Sequence, residues 1–176
     1  MLDIFLPLRA GSERIKNKNT RNFSGYKLGL FEIKLNQILK VKNLSNLVVS
    51  TDDDIILEYL LNHKFPKVKI HEREPSLCTS DCVTDDLIPH AAEICDSNHI
   101  FWTHVTSPFF DDVYMEDAIS QYFKVLKLGY DSLMSVDKCQ EFMVDSSSNP
   151  INFDRTQAKW PRTQTLEPIY RISSAA

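Results

Sequence analysis

The chain has 176 residues, of which 43% are hydrophobic and 25% charged, and this length and composition fit one globular domain. Its net charge of −4 hides an asymmetry: residues 1–42 have nine Lys or Arg against three Asp or Glu, a balance of +6, and the remainder has 11 against 21, a balance of −10. A confined basic region on an acidic body argues against general nucleic-acid binding and favours a small anionic ligand. The sequence also has no apolar run long enough to span a membrane.

The predicted elements alternate between strands and helices along the chain. The apolar start includes Asp3 and lacks a basic leader, so we expect a strand there and not a signal peptide. In chain order the patterns predict a strand over 2–8, a helix over 28–42, a strand over 46–50, a helix over 53–63 and a strand over 67–72. They then predict a helix over about 83–96, a strand over 99–105, a helix over 113–128 that ends at Gly129, and a strand over 131–136. From residue 145 onward the composition is typical of loops.

This alternation predicts an α/β fold, a doubly wound and mainly parallel sheet with helices on both faces. In such sheets ligands bind beyond the carboxyl ends of the strands. We therefore expect one cleft lined by residues 9–21, by the region after Ser50 and by residues 104–108. Asp52 is placed to contact a ligand there or to serve as the N-cap of the second helix.

The four cysteines are Cys78, Cys82, Cys95 and Cys139. They lack the Cys-x2-Cys spacing of a zinc site, and no second pair lies near Cys78 and Cys82. We expect free thiols in a reducing cytoplasm and no metal ligands within the chain.

The loop after the first predicted strand has the strongest chemical signal. Gly11 lets backbone amides approach a ligand closely, and Ser12 adds a hydroxyl donor. Arg9 and Lys18 can neutralise phosphate oxygens. Neither a P-loop nor a dinucleotide-binding fingerprint is present. The alternative is a solvated basic loop without a ligand.

The residues RAGSERIKNKN (9–19) resemble the nucleotide-binding signature of the acylneuraminate cytidylyltransferases, the enzymes that make CMP-sialic acid and related activated acid sugars. Four further segments resemble motifs of that family in the same order. They are VVSTDDD (48–54), EREPSLCTSDCVT (72–84), VTSPF (105–109) and PRTQTLEPIYRISSAA (161–176). The resemblance covers nearly the whole chain, and it implies a Rossmann-like fold of the nucleotide-diphospho-sugar transferase type.

The resemblance also implies roles for individual residues. Lys18 and Arg9 would be catalytic, stabilising charge as the phosphoryl group is transferred. The implied nucleotide-binding residues are Leu8, Arg9, Ala10, Gly11, Ser12, Asn19, Arg73, Ser80, Thr84 and Asp85. The implied residues for the acid sugar are His104, Thr106, Ser107, Arg162, Gln164 and Ser173. Of the other histidines, His63, His71, His90 and His99 are expected to be ordinary surface or cap residues, and Trp102 is expected in the core.

The sequence departs from the family in three places. His104-Val105 stands where the family has Gln-Pro, and Ser173-Ser174 where it has Asn-Gly. Both departures fall on the sugar side, so the acid need not be N-acetylneuraminic acid. The family also continues into a dimerisation arm and a late Asp-x-Asp that binds Mg²⁺. We therefore expect residues 1–176 to be a single nucleotidyltransferase domain that lacks this part, with the Mg²⁺ ligands beyond Ala176 and a cytoplasmic homodimer as the full-length protein.

The expected reaction joins CTP to a sialic-type (nonulosonic) acid and releases pyrophosphate, with no nucleic-acid or membrane partner. Two alternatives stay open at this point. One is a related nucleotidyltransferase that uses another nucleotide or a Kdo-like sugar. The other is a non-catalytic nucleotide-binding module.

Overall fold

The computed structural model describes residues 2–12, 14–173 and 175–176. These form two compact units, one of residues 2–133 with 175–176 and the other Met134–Ser173.

A four-stranded parallel sheet forms the centre of the first unit. Its strands are β1 (Leu2–Leu8), β2 (Leu44–Thr51), β3 (Val68–Glu72) and β4 (Ile100–Trp102), in the order β3-β2-β1-β4. The sequence predicted all four. The apolar run of β1 is continuous because strands in the middle of a parallel sheet are covered on both faces, and this strand lies between β2 and β4.

Helices cover both faces of this sheet, as the alternation predicted. They are α1 (Gly29–Ile38), α2 (Asp54–His63), α3 (Thr84–Ile94) and α4 (Asp112–Leu126). Buried residues of α1, α2 and α4 pack with the even-numbered residues of β1, whereas Phe5 and Val48 pack with Ala91 and Cys95 on the face that α3 covers. Among the described residues, no helix combines the length and the apolar character needed to cross a bilayer.

The start of α2 differs from the expectation for Asp52. The N-cap is Asp53, whose side chain accepts a hydrogen bond from the Ile55 amide at 3.1 Å. The Asp52 carboxylate instead accepts from the Ala10 amide at 2.7 Å. The N-cap role for Asp52 was wrong because its side chain points to the loop after β1.

A buried carboxylate, that of Asp3, lies at the amino end of β1. Asp3 has no exposed surface, and it accepts hydrogen bonds from the Asn46 amide and side chain and from the amides of Asp96 and Ser97, at 2.9–3.2 Å. Burial raises the pKa of this carboxyl, but the hydrogen bonds from Ser97, Asn46 and Asp96 outweigh burial and hold the pKa below its ordinary value. The carboxylate thereby ties together the two loops that enter β2 and β4.

The second unit contains an antiparallel pair of strands, β5 (Val136–Cys139) and β6 (Ile169–Ile172). The predicted strand over 131–136 was wrong, because β5 begins at Val136 and pairs outside the parallel sheet. Strand β6 follows the segment predicted to be loop-like and was not among the predicted strands. The intervening loop is held by the buried side chain of Asn152, which donates to the carbonyls of Glu141 and Glu167.

Candidate functional site

A cleft of about 690 Å³ opens at the carboxyl ends of β1 and β4. Its lining comprises Pro7, Arg9, Ser12, Arg14, Ile15, Lys18, Asn19, His104, Val105 and Thr106. The structure thus brings together the loop after β1 and the loop after β4, as the topology predicted. We call this space the basic cleft.

A second pocket of about 310 Å³ lies at the ends of β2 and β3. It is lined by Asp52, Glu72, Arg73, Pro75, Cys78 and Thr79. The sequence predicted one cleft, but the region after Ser50 lines this pocket and not the basic cleft. The walls of the two spaces are in contact. The Arg9 guanidinium donates to the Thr79 carbonyl at 2.7 Å, and the Ala10 amide donates to Asp52.

The loop after β1 is anchored at both of its ends. Gly11 has a φ of +70°, in the left-handed region that favours glycine. Asn19 is buried; its side-chain amide donates to the Arg9 carbonyl at 3.1 Å, and its own carbonyl accepts from the Phe31 amide at 2.9 Å. At the start of α1, a Cβ on Gly29 would lie 1.9 Å from the Arg21 carbonyl oxygen, so only glycine allows this approach. Contacts within the protein therefore hold the two ends of this loop, at Arg9 and at Asn19 to Arg21.

Lys18 and Arg14 line the basic cleft, and neither has a hydrogen-bond or ion-pair partner among the described residues. An unpaired cation in a concave site is suited to an anionic ligand.

His104 faces the same cleft in its neutral form. Its Nε2 accepts a hydrogen bond from the Trp102 indole N–H at 3.1 Å, so the proton belongs on Nδ1. Burial lowers the pKa of His104, and the charge of Lys18 lowers it further. A neutral ring in this tautomer can donate one hydrogen bond to a ligand. Trp102 packs against Phe5 with ring centroids 4.8 Å apart, which confirms its predicted place in the core.

Arg73 enters the second pocket from a buried polar network. Its guanidinium donates to the Ser50 hydroxyl at 3.0 Å and to the Ser50 carbonyl at 2.6 Å. The Ser50 hydroxyl lies 2.9 Å from His90 Nε2. Burial lowers the pKa of His90, and the neighbouring His71 and Arg73 lower it further.

The expectation for His90 as a surface or cap residue was therefore wrong. This side chain is buried on α3 and packs edge-on against Phe5. The sequence has no pattern that joins Ser50, Arg73 and His90, since the three residues come from three separate elements.

The cysteines are free thiols, as predicted. Burial raises the pKa of Cys78 to about 11, and the neighbouring Asp52 raises it further while Arg73 opposes it. The thiol donates to the Glu74 carbonyl at 3.3 Å. A protonated thiol is a poor nucleophile, so Cys78 forms part of the pocket wall.

The remaining predicted residues occupy different places. Leu8 is buried at the end of β1, and Ser80, Thr84 and Asp85 are exposed and line neither pocket. Thr106 lines the basic cleft, whereas Ser107 lies beyond it. Arg162, Gln164 and Ser173 belong to the second unit, and Ser174 lies outside the described residues. The ligand contacts assigned to all of these residues stay predictions.

Sequence reasoning missed two side chains of α1, Lys34 and Gln37. Lys34 is completely buried, and its ammonium group donates to the carbonyls of Ser107 and Phe110. Gln37 donates to the Pro108 carbonyl. The available signal was a lysine three residues after Phe31 and four before Ile38, which places it on the apolar face of the helix.

Within residues 2–12, 14–173 and 175–176, no group of three or more His, Cys, Asp or Glu side chains is arranged to hold a metal ion. The described residues therefore do not form a metal site by themselves.

A family model described as cytidylyltransferase matches residues 4–175. Among solved structures, the chain is similar to 4-diphosphocytidyl-2C-methyl-D-erythritol synthase from Anaerococcus prevotii, with a TM-score of 0.63 and 15% identity over 99% of this chain and 67% of that one. It is also similar to CMP:2-keto-3-deoxy-manno-octonic acid synthetase complexed with CTP, with a TM-score of 0.60 and 16% identity over 98% of this chain and 71% of that one.

A cytidylyltransferase from Leptospira borgpetersenii matches with a TM-score of 0.51 and 17% identity, over 70% of this chain and 49% of that one. No curated protein sequence matches the chain significantly. At these identities the solved structures establish the fold, the mainly parallel α/β sheet with flanking helices.

Proposed function

The chain belongs to the cytidylyltransferase family, and from this premise we propose that it transfers the cytidylyl group of CTP to a sialic-type acid sugar, giving a CMP-sugar and pyrophosphate. The observation that carries the proposal is the basic cleft itself. It combines Lys18, which has no partner among the described residues, with Arg9 and Ser12 at the carboxyl end of β1, where an α/β sheet binds its ligand.

The basic cleft is suited to the triphosphate of CTP. Arg9 and Lys18 supply positive charge, and Ser12 supplies a hydroxyl donor. The adjoining second pocket, with Arg73 held by Ser50, would receive the ribose and base. The hydrogen bonds of Arg9 to Thr79 and of Ala10 to Asp52 keep the two spaces in a fixed relation, so that one nucleotide can occupy both.

The proposed reaction is a direct displacement. The anomeric hydroxyl oxygen of the acid sugar forms a bond to the α-phosphorus of CTP, the bond from that phosphorus to the bridging oxygen breaks, and pyrophosphate leaves. The hydroxyl proton passes to water. Lys18 and Arg9 stabilise the negative charge that develops on the phosphoryl oxygens. No protein nucleophile is needed, in agreement with the protonated state of Cys78.

The acid sugar would lie on the β4 side of the basic cleft. His104 there can donate from Nδ1 to the sugar carboxylate, and Thr106 offers a hydroxyl. On this wall His104 stands where the acylneuraminate cytidylyltransferases, which the sequence resembles, have glutamine, and this difference supports a sialic-type acid other than N-acetylneuraminic acid as the acceptor.

Mg²⁺ is a further part of the proposal and rests on the resemblance, as does a homodimer of the full-length protein. Because the described residues form no metal site by themselves, we assign no step of the reaction to the ion. Removal of divalent cations with a chelator is expected to stop pyrophosphate release, and added Mg²⁺ to restore it.

A pyrophosphate-release assay of the full-length protein tests the proposal. The four ribonucleoside triphosphates are each combined with several sialic-type acids and with 3-deoxy-manno-octulosonic acid, in the presence of Mg²⁺. Release with CTP and a sialic-type acid alone is the expected result. Release with the octulosonic acid alone would overturn the sugar assignment, and release with another nucleotide would overturn the assignment of CTP. CTP binding without release under any combination would identify a binding module.

A further inference from the structure

Helix α1 contacts both walls of the basic cleft. At its start, the Phe31 amide donates to the Asn19 carbonyl, which ends the loop after β1. Three and six residues further along, Lys34 and Gln37 contact the loop after β4. One helix therefore fixes the two loops between which the ligand would lie.

The contacts to the loop after β4 are made by side chains to backbone carbonyls. Lys34 Nζ lies 2.9 Å from the Ser107 oxygen and 2.7 Å from the Phe110 oxygen. Gln37 Nε2 lies 2.7 Å from the Pro108 oxygen. Three carbonyls within four residues thus accept hydrogen bonds from one helix. Lys34 is completely buried, so water cannot replace it as the donor.

These carbonyls are coupled to the residues that line the cleft. The Ser107 amide donates to the His104 carbonyl, and the Phe110 amide donates to the Ser107 carbonyl. The loop is therefore a compact turn, and a displacement of residues 107–110 also displaces His104 and Thr106. Lys34 itself does not line the cleft, so any effect on a ligand there acts through the backbone that it contacts.

We propose that Lys34 and Gln37 are positioning residues for the acceptor wall of the cleft, which hold the backbone of residues 107–110 and so set the places of His104 and Thr106. The inference rests on the proposed function in one respect, namely that this wall receives the acid sugar. The anchoring itself is independent of the substrate and can be measured without one.

The charge of Lys34 gives the anchoring a pH dependence of definite sign. Burial lowers the pKa of Lys34 to about 8, and Asp111, the charged residue that faces it from the start of α4, opposes this shift. Detachment of the loop would return Lys34 to water and its pKa towards the ordinary value of 10.5. Protonation therefore favours the detached loop, and a rise in pH through 8 favours the attached loop.

Hydrogen exchange of the full-length protein tests the anchoring directly. The variants are Lys34→Met, which keeps the volume and removes the donor, and Lys40→Met, a control at an exposed lysine just beyond the same helix. We expect faster exchange of the amides at 104–110 in K34M only, with the amides of β1 and β2 unchanged. In the wild type, exchange corrected for its intrinsic pH dependence should slow at 104–110 between pH 7 and 9.5, and K34M should lose this change. Unchanged exchange in K34M would overturn the inference.

Steady-state kinetics distinguish a positioning role of Lys34 from a general loss of structure in the variant. K34M is expected to raise the KM for the acid sugar by about tenfold with the KM for CTP changed by less than about twofold, and K40M is expected to change neither. An equal rise of both KM values would contradict a positioning role. If K34M does not fold, Gln37→Met removes one of the three contacts and is expected to give the same effects at smaller size. Absence of turnover in every protein would overturn the proposed function, and the exchange measurement would still decide the anchoring.

Discussion

The two ends of β1 use charge in opposite ways. At the amino end, Asp3 is buried and receives four hydrogen bonds from Asn46, Asp96 and Ser97. At the carboxyl end, Lys18 lines an open cleft without a partner among the described residues. A charge that the protein satisfies internally stabilises the fold, whereas a charge that it leaves unsatisfied in a concave site is available to a ligand. The difference separates a structural end of the sheet from a functional one.

The polar residues next to Lys18 show how the functional end is kept in shape. The Asn19 side chain donates to the Arg9 carbonyl within the same loop, Asp52 accepts from the Ala10 amide, and the Arg9 guanidinium donates to the Thr79 carbonyl. These hydrogen bonds hold the described ends of the loop after β1, and none of them involves Lys18. The following variants test the distinction between Asp52, which holds the loop, and Lys18, which the loop presents to the cleft.

Lys18→Ala is expected to have the largest effect. Loss of a cation that stabilises the transferred phosphoryl group should lower kcat by about 10³-fold, with the fold unchanged. Steady-state pyrophosphate release and circular dichroism measure the two quantities. Lys16→Ala, at an exposed lysine of the same loop that does not line the cleft, is the matched control and should stay within about twofold of the wild type. Equal losses of kcat in K16A and K18A would show that the effect comes from the overall charge of the loop and not from Lys18 itself.

Asp3→Ala should lower the stability of the fold and leave CTP binding unchanged, the reverse of what is expected for Lys18→Ala. Four N–H groups lose their acceptor in a buried site, so the free energy of unfolding should fall by about 3 kcal/mol. Denaturant unfolding measures this loss, with Asp54→Ala at an exposed position of α2 as the control. CTP affinity of the folded D3A protein should match that of the wild type. A folded D3A protein with impaired CTP binding would contradict the separation of the two ends.

The pH dependence of unfolding should report the same carboxylate. The pKa of Asp3 is lowered in the folded protein, so its contribution to stability is present above the unfolded value of 3.8 and is lost as the pH falls through the folded pKa. We expect the difference in unfolding free energy between wild type and D3A to shrink as the pH falls below 3.8. A difference that is constant across this range would show that the charge of Asp3 does not contribute.

Asp52→Ala should have the smallest effect on turnover. It removes the acceptor of the Ala10 amide and loosens the loop after β1, so the KM for CTP should rise by about fivefold, corresponding to about one hydrogen bond. Asp52→Asn keeps an acceptor oxygen and should lose less. If D52N and D52A lost CTP affinity equally, the charge of Asp52 would matter and its hydrogen bond to Ala10 would not.

The parallel sheet could be predicted from the sequence because apolar periodicity is a local property of each segment. Strands β1 to β4 follow from such runs, and the basic cleft follows from the rule for carboxyl ends of parallel strands. The short strand β6 lies in a segment that lacks an apolar run, and it exists only through its pairing with β5. Pairing of this kind depends on a distant segment, so the residues of the strand themselves carry little sequence pattern that would predict it.

The side chains that sequence reasoning misassigned, Asp52 and His90, and the one that it missed, Lys34, have the same physical cause. Asp52 and Asp53 are both acceptable N-caps by residue type, and the choice between them was made by the Ala10 amide 42 residues away. Lys34 and His90 are buried because distant backbone and side-chain partners receive them, Ser107 and Phe110 in one case and Ser50 in the other. Sequence spacing reveals which face of a helix such a residue occupies, but not which partner it meets.

Hydrogen exchange of the full-length protein with and without CTP tests the central claim most directly, because it reports on both ends of β1 at once. We expect CTP to slow exchange of the amides at residues 9–19 and 72–79, around the basic cleft and the second pocket, and to leave the loops at 43–46 and 95–98 around Asp3 unchanged. Protection at the Asp3 end, or none at residues 9–19 with saturating CTP, would contradict the assignment of the carboxyl ends of the sheet as the nucleotide site.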